Sequence, residues 1–545
     1  MMTAMRTLRF FALAVTLAVT VSGCGQSRPA DAAVVESIQS RIPSMDTAAI
    51  HGERLIEPQV VARLYQARAS KAVWTDSKDA EQILQAIHGV EQDGLTPADY
   101  HLSAIEALLQ QREKTSTPDL EAELDILLSD AVAGMFDHLR YGRVRPVLLD
   151  SRWNVDPREG APPLEEDVAR VAAASSITDA IGGAKSNHFV YRGLVEALAQ
   201  LREIDAKGGW PTVPSGKSIP PGASDARIPA VRARLAMTGE LGGRGEPNAS
   251  VYDKELQQAV EKFQTTHRID TNGVIDKTTI EAMNVSASDR VGQVRVNLER
   301  SRWVLRGLQD DFLLVNLPAF KAYLIRGGKN IWEARTQIGE EAKQTPTFRS
   351  DMSTVVFNPD WTVPQSIIAN EVVKGMQKNR NYLAEKKLVV LDKDNKEVDP
   401  GSIRWGSDTA ENFPYTVLQR PGEGNALGRV KFLFPNKYSI YLHDTPSKPL
   451  FESDRRTFSH GCIRIENPLD LARVLLEGQD SWTSAKIADV IQTGKMVNVG
   501  LEHPIPVLIV YWTVSVGLTG DVRYMGDPYN LDPPVLAALN APPKR

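Results

Sequence analysis

A change of hydrophobic period along the chain limits its folds more than any other feature. From about residue 45 to 205 apolar residues recur at helical spacing, most clearly in "LEAELDILLSDAVAGMFDHLRYG", residues 120–142, which ends at Gly142. After residue 290 the texture becomes β-rich. "DFLLVNLPAFKAYLIRGGKNIWEAR", 311–335, predicts two strands around a Gly-Gly turn, and "MSTVVFNPDWTVP", 352–364, follows. Between these regions lies "KGGWPTVPSGKSIPPGASD", 207–225, whose Gly, Pro and Ser make it a linker or long loop. The 545 residues also exceed what one core organises, since single cores rarely grow past ~250–300 residues. The expected fold is multidomain α+β: a helical N-terminal scaffold, a small helical domain, and a β-rich domain with an inserted lid.

The small helical unit is "VYDKELQQAVEKFQTTHRIDTNGVIDKTTIEAMN", 251–284. Leu256, Ala259, Val260 and Phe263 share one helical face, Asn272-Gly273 makes a turn, and Asp276 can cap a second helix. This order resembles the peptidoglycan-binding-like module of cell-wall enzymes. Segment 365–420 interrupts the β pattern with the helical, basic "SIIANEVVKGMQKNRNYLAEKK" and the hairpin-like "LVVLDKDNKEV". Functional lids are often built as such insertions. "PIPVLIVYWTV", 504–514, is too short for a membrane span and reads as a buried strand. Trp361 and Trp405 are read as core. The expected division is 1–23 signal, 24–44 polar tether, 45–225 scaffold ending in the linker, 226–290 small helical domain, 291–530 β-rich domain containing the 365–420 insert, and 531–545 tail.

The first residues predict export. Arg6 and Arg9 precede the apolar "FFALAVTLAVTV", 10–21. "VSGCG" then resembles a bacterial lipobox, which implies that Cys24 is lipidated and becomes the mature N-terminus. Gly25 in place of Asp implies the outer membrane, facing the periplasm. Cys462, the second of only two cysteines, would then be a lone thiol in an oxidising compartment. Chemistry explains such a thiol better than packing does.

The residues around it supply that chemistry. "KYSIYLHDTP" alternates as a strand that ends at His443 and turns at Asp444-Thr445-Pro446. "SHGCIRIENP" follows, with Cys462 and Arg464 on one strand face and Asn467-Pro468 opening a helix. An imidazole within reach can take the thiol's proton. Gly461 lets the backbone approach a substrate, and the Gly461 and Cys462 N–H groups can face a developing oxyanion. Nucleophile, base and oxyanion donors together mean acyl transfer. His460 lies two residues before the thiol, and strand parity alone does not exclude it as the base. His443, on a separate strand, reaches both thiol and acceptor with less strain.

His443 followed after fifteen residues by Ser459-His460-Gly461-Cys462-Ile463-Arg464 resembles the active-site signature of the L,D-transpeptidase (YkuD-type) family. "NPDWTVP", "NALGRVKF" and "YLHDTP" resemble its large multidomain members. The resemblance implies that Cys462 attacks a tetrapeptide stem of peptidoglycan, releases D-Ala and passes the acyl group to a second stem, with His443 as base oriented by a backbone carbonyl, that of Asp444 here. It implies that Ser459, His460 and Gly461 shape the oxyanion loop and that Arg464 orders the loop or meets a substrate carboxylate. It further implies carbapenem-type β-lactams as inhibitors and roles in cell-wall biogenesis and cell shape. Hydrolysis as an L,D-carboxypeptidase or amidase, a lysine of an envelope lipoprotein as acceptor, and a non-catalytic wall tether remain open. No cofactor or metal is expected, since there is neither an HExxH nor a paired-cysteine signature. A formal net charge of -5 argues against nucleic acid as a partner.

Overall fold

The computed structural model describes residues 29–242, 250–406, 413–517 and 519–542. The expected signal segment and Cys24 lie outside the described residues. Among the described residues no helix is long and apolar enough to cross a membrane.

The scaffold is organised around the helix Pro118–Tyr141, buried on almost every side. Thr117 caps it by accepting from the Leu120 N–H, and Gly142, at φ 92°, ends it. A helix buried all round must satisfy its own polar residues. Asp125 accepts from the Tyr65 hydroxyl at 2.6 Å and the Trp74 N–H at 2.8 Å. Asp130 accepts from the Ile56 and Glu57 N–H groups and pairs with His101 at 2.7 Å. These bonds pin the surrounding loops to the central helix.

Three boundaries differ from the sequence reading. The polar tether expected over 24–44 contains the helix Pro29–Arg41, which packs on the central helix through Val34 and the fully buried Ile38. Its three large apolar residues, Val34, Val35 and Ile38, fall within five positions, too short a run to stand out as a period. The helix Phe189–Ala206, expected within the scaffold, touches it through Tyr191, which donates to Asp93 at 2.7 Å, and also packs on the helix Ala287–Val304 and on the β-rich domain, through Leu194, Leu198, Leu508 and Trp512. The 207–225 segment is part of the small helical domain: Val213 and Ile219 are buried in its core, and Ile219 bridges Ile275. Asn284 clamps Val213 through both amide groups, at 2.8 and 2.9 Å. Asp253 and Asp276 cap the helices Lys254–Thr266 and Lys277–Met283.

The β-rich domain contains β1 (Phe312–Asn316), β2 (Lys321–Arg326), β3 (Lys329–Gly339), β4 (Phe348–Phe357), β5 (Trp361–Thr362), β6 (Leu388–Leu391), β7 (Thr416–Gln419), β8 (Val430–Leu433), β9 (Leu442–His443), β10 (Thr457–Ser459), β11 (Ile463–Ile465) and β12 (Val497–Val510). Nine of them run in the order β10-β3-β11-β9-β8-β4-β12-β1-β2, and β2 pairs back onto β3, closing the sheet on itself. The Gly327-Gly328 turn joins β2 to β3, so residues 311–335 form parts of three strands rather than two. Val315, Leu324, Phe357, Phe432, Leu442, Ile463, Ile465 and Val507 fill the enclosed core.

β5, β7 and β6 form a separate small sheet with the helical segments between residues 365 and 385. This insert has its own core, including Val363, Ile368, Val372, Val390 and Val417, with Trp361 and Trp405 packed against it. Both tryptophans are therefore packing residues. The insert therefore packs as a unit with a core separate from that of the barrel.

Candidate active site

Two short parallel strands build the site. β9 and β11 pair with Leu442 opposite Ile463 and His443 opposite Arg464. Alternation sends Leu442, Ile463 and Ile465 into the core. The opposite face holds His443 and Arg464, with Tyr441 and Cys462 one step earlier on each strand. The expected strand from Tyr438 to His443 shrinks to two residues. Asn436 pulls its first part into a turn, accepting from the Tyr438 and Ile440 N–H groups at 3.1 and 3.0 Å and donating to the Ile440 carbonyl at 2.7 Å. Ser439 sits at φ 56° in that turn, and the Cys462 thiol donates to its carbonyl at 3.5 Å.

His443 is buried, with Nδ1 2.5 Å from the Asp444 carbonyl oxygen. That bond places the ring proton on Nδ1 and leaves Nε2 unprotonated. Asp444 is itself fixed: its carboxylate accepts from the Thr445 and Arg429 N–H groups, each at 2.8 Å, and pairs with Lys448. Burial first, then the Arg464 and lysine charges, press the His443 pKa down to about 3. Burial raises the Cys462 thiol to about 11. Both groups are therefore neutral at pH 7, and any proton transfer between them accompanies attack on a substrate.

Tyr441 was not singled out from the sequence. Its backbone first, and then its side chain, oppose part of that rise, and burial, with the neighbouring sulfur, raises its own pKa. The alternation Ser439, Tyr441, His443 was the available signal. Arg464 donates to Gln337 at 3.2 Å, while its Nε is buried without a partner. An unpaired guanidinium nitrogen beside the thiol is suited to a substrate carbonyl or carboxylate.

The loop before the thiol is braced from within. Ser459 Oγ donates to the Cys462 carbonyl at 2.5 Å and accepts from the Gly461 N–H at 3.1 Å. The Gly461 N–H, expected as one of two oxyanion donors, is thus occupied, and that expectation narrows to the Cys462 N–H. Gly461 has φ 117°, where a side chain would strain the backbone. Thr345 Oγ1 donates to its carbonyl at 2.7 Å. His460 reaches the insert, with Nε2 2.5 Å from Glu371 Oε1. Asn467, at φ 49°, makes no side-chain cap, so Pro468 alone opens the helix Pro468–Leu475 as expected. His101, His138 and His267 are buried and bonded to Asp130, the Tyr100 hydroxyl and the Phe263 carbonyl.

Comparison with known proteins matches the stretch that builds this site to a family model. Residues 310–499 match the family model described as "L,D-transpeptidase catalytic domain", 59–198 a "Scaffold domain" and 224–283 a "Putative peptidoglycan binding domain". A curated Haemophilus influenzae protein described as "Putative L,D-transpeptidase" is 35% identical over 229 residues. That match covers 42% of this chain and 46% of the relative, so the chain spans under half of the relative's length. A crystal structure of an L,D-transpeptidase (residues 123–326) from Xylanimonas cellulosilytica aligns at 14% identity over 55% of this chain and 99% of that one. Its TM-score is 0.17, at which the shared shape carries no weight. Residues 310–499 are thus similar to the L,D-transpeptidase catalytic domain of the YkuD type, in a chain that also matches a scaffold domain and a "Putative peptidoglycan binding domain".

Proposed function

We propose that the protein is a peptidoglycan L,D-transpeptidase that forms 3→3 cross-links through a thioacyl-enzyme on Cys462. The observation that carries this reading is the single strand face shared by Cys462, Tyr441, His443 and Arg464, with the His443 ring held on the Asp444 carbonyl. Cys462 Sγ attacks the carbonyl of the third residue, a diamino acid, in a tetrapeptide stem while its proton passes to His443 Nε2. The Tyr441 hydroxyl supports the negative sulfur, and the Cys462 N–H receives the oxyanion. The C–N bond to terminal D-Ala then breaks and His443 protonates the departing amine. An amine of a second stem attacks the thioester and restores the thiol. The Arg464 guanidinium meets a carbonyl or carboxylate of the donor.

The enzyme works in the periplasm, anchored through lipid on Cys24 to the outer membrane, and carbapenems acylate the same sulfur. The decisive experiment is mass spectrometry after incubation with disaccharide-tetrapeptide. A dimer lighter by one alanine is expected. Tripeptide alone would assign an L,D-carboxypeptidase, and no change would leave a wall tether.

A further inference from the structure

The geometry points to Glu371, on the insert, and His460, in the loop before the thiol, as the subsite for the acceptor, a primary amine arriving as an ammonium ion. The inference rests on the transpeptidase reading and assigns the half of the reaction which that reading leaves without a binding group. The donor presents a neutral amide carbonyl. The acceptor presents an alkyl amine, protonated at neutral pH with a pKa of ~10.4, and must lose a proton before it can attack. The wall around His443 does not attract such a cation: the imidazole is uncharged, and Arg464, Lys431 and Lys448 are positive neighbours.

Most carboxylates near the thiol loop are committed. Asp444 holds the turn and Lys448. Glu452 and Glu466 share Arg335, at 2.7 and 2.6 Å. Glu340 pairs with Lys343 and Glu341 with Arg455. Asp360 faces Lys431. Glu371 differs, because its ion-pair partner among the described residues is His460, and both side chains are open to solvent, 43% and 34% exposed. Glu371 sits in a π turn, Ile368–Val372, inside an otherwise α-helical run from Gln365 to Lys378. Ile368 and Val372 anchor that turn in the core of the insert, and Glu371 faces outward. Single π turns within helices recur at functional sites, where the extra residue re-aims a side chain.

The pair can act on an ammonium. His460 Nε2–H donates to Glu371 Oε1, which leaves Oε2 for the cation and His460 Nδ1 as a proton acceptor. The ammonium gives one proton to Nδ1, and the carboxylate stabilises the imidazolium. The freed amine attacks the thioester carbonyl, the N–C bond forms, and the C–S bond breaks with its electron pair on sulfur. The second proton leaves nitrogen through His443 and restores the Cys462 thiol, while His460 releases the first to water.

The test uses the full chain, loaded with tetrapeptide donor at pH 7 and offered two nucleophiles. One is the stem-peptide acceptor, a cationic alkyl amine; the other is hydroxylamine, which is uncharged. In Glu371→Gln the ratio of the two rate constants, acceptor over hydroxylamine, should fall about tenfold, as expected for loss of a charge-assisted contact. Glu371→Asp should recover part of it. A role confined to closing the insert would slow both nucleophiles together and leave the ratio unchanged, and that result would overturn the assignment. Wild-type enzyme that releases no alanine from donor would remove the transpeptidase reading itself. Wild type that cross-links, with an unaltered ratio in Glu371→Gln, would remove only the subsite.

Discussion

Replacing His443 by alanine separates a neutral thiol–imidazole pair from a preformed ion pair. Burial sets the thiol at about 11, so the thiolate is only about 10⁻⁴ of the total at pH 7. The imidazole, held at about 3, is already unprotonated there and can accept the thiol's proton. A base that stays unprotonated from about pH 5 to 9 gives wild-type acylation little pH dependence across that window, with a decline only towards pH 3. Without the imidazole, attack waits for the small thiolate fraction. The His443→Ala variant should lose on the order of 10²–10⁴ in acylation rate at pH 7. It should then recover about tenfold per pH unit as pH rises towards the thiol's own value. His460→Ala should keep the flat profile and lose a smaller factor through its loosened loop. Stopped-flow absorbance of a carbapenem across pH measures all three proteins. A flat profile in His443→Ala, or the steep one in His460→Ala, would refute the assignment of the base.

Four further outcomes can be checked. A carbapenem should add one inhibitor mass to wild type on intact-mass analysis, and an equal gain in Cys462→Ser would place the label elsewhere. Tyr441→Phe should acylate about tenfold more slowly at neutral pH, the scale of one hydrogen bond to a charged group; wild-type rates would deny the hydroxyl its part. Exchanging residues 365–420 for a short Gly-Ser link should lower turnover by more than it lowers thermal stability, because the insert carries its own core; unaltered kinetics would make the insert decoration. Cys24→Ala should move the protein from the membrane to the soluble fraction, and continued sedimentation with membranes would mean the anchor lies elsewhere.

The parts of the site that sequence made legible are local ones. A thiol beside Gly461, an alternation ending at His443 and a turn at Asp444 are patterns within a few residues, although the strand itself keeps only Leu442 and His443. Tyr441 lies within the same alternation, and nothing in its local sequence sets it apart from a packing residue. The Glu371–His460 contact joins residues 89 apart and has no local signature. The partners of segments near the domain boundaries are hidden for a related reason. The helix Phe189–Ala206 has the same period whether it covers the scaffold or the barrel, and only the partner face, Leu508 and Trp512, decides between them. In the 207–225 segment, Val213 and Ile219 are isolated among Gly, Pro and Ser, yet both are buried. Composition marked the loop but not the anchors within it.

The scaffold bears on the site through its exit. After the central helix the chain runs through Asp150–Asn154 against the barrel, beside both supports of the thiol loop. The Tyr438 hydroxyl donates to the Arg152 carbonyl, one residue before Ser439, whose own carbonyl receives the thiol. The Arg152 guanidinium, fixed on Asp150 at 2.8 Å, reaches the Gln344 side chain at 3.4 Å. Gln344 precedes Thr345, which holds the Gly461 carbonyl at 2.7 Å. Asn154 completes the clamp by pairing with both backbone groups of Arg349, at 3.0 and 3.1 Å, as a neighbouring strand would. The two segments that contact Gly461 and Cys462 are therefore both tied to one short stretch of the scaffold. Acyl transfer is sensitive to displacements near 1 Å, which can cost about 10²-fold in rate. Because these ties converge on the nucleophile, the scaffold is part of the support of the site, and its removal would loosen the thiol loop even with every residue of the motif intact.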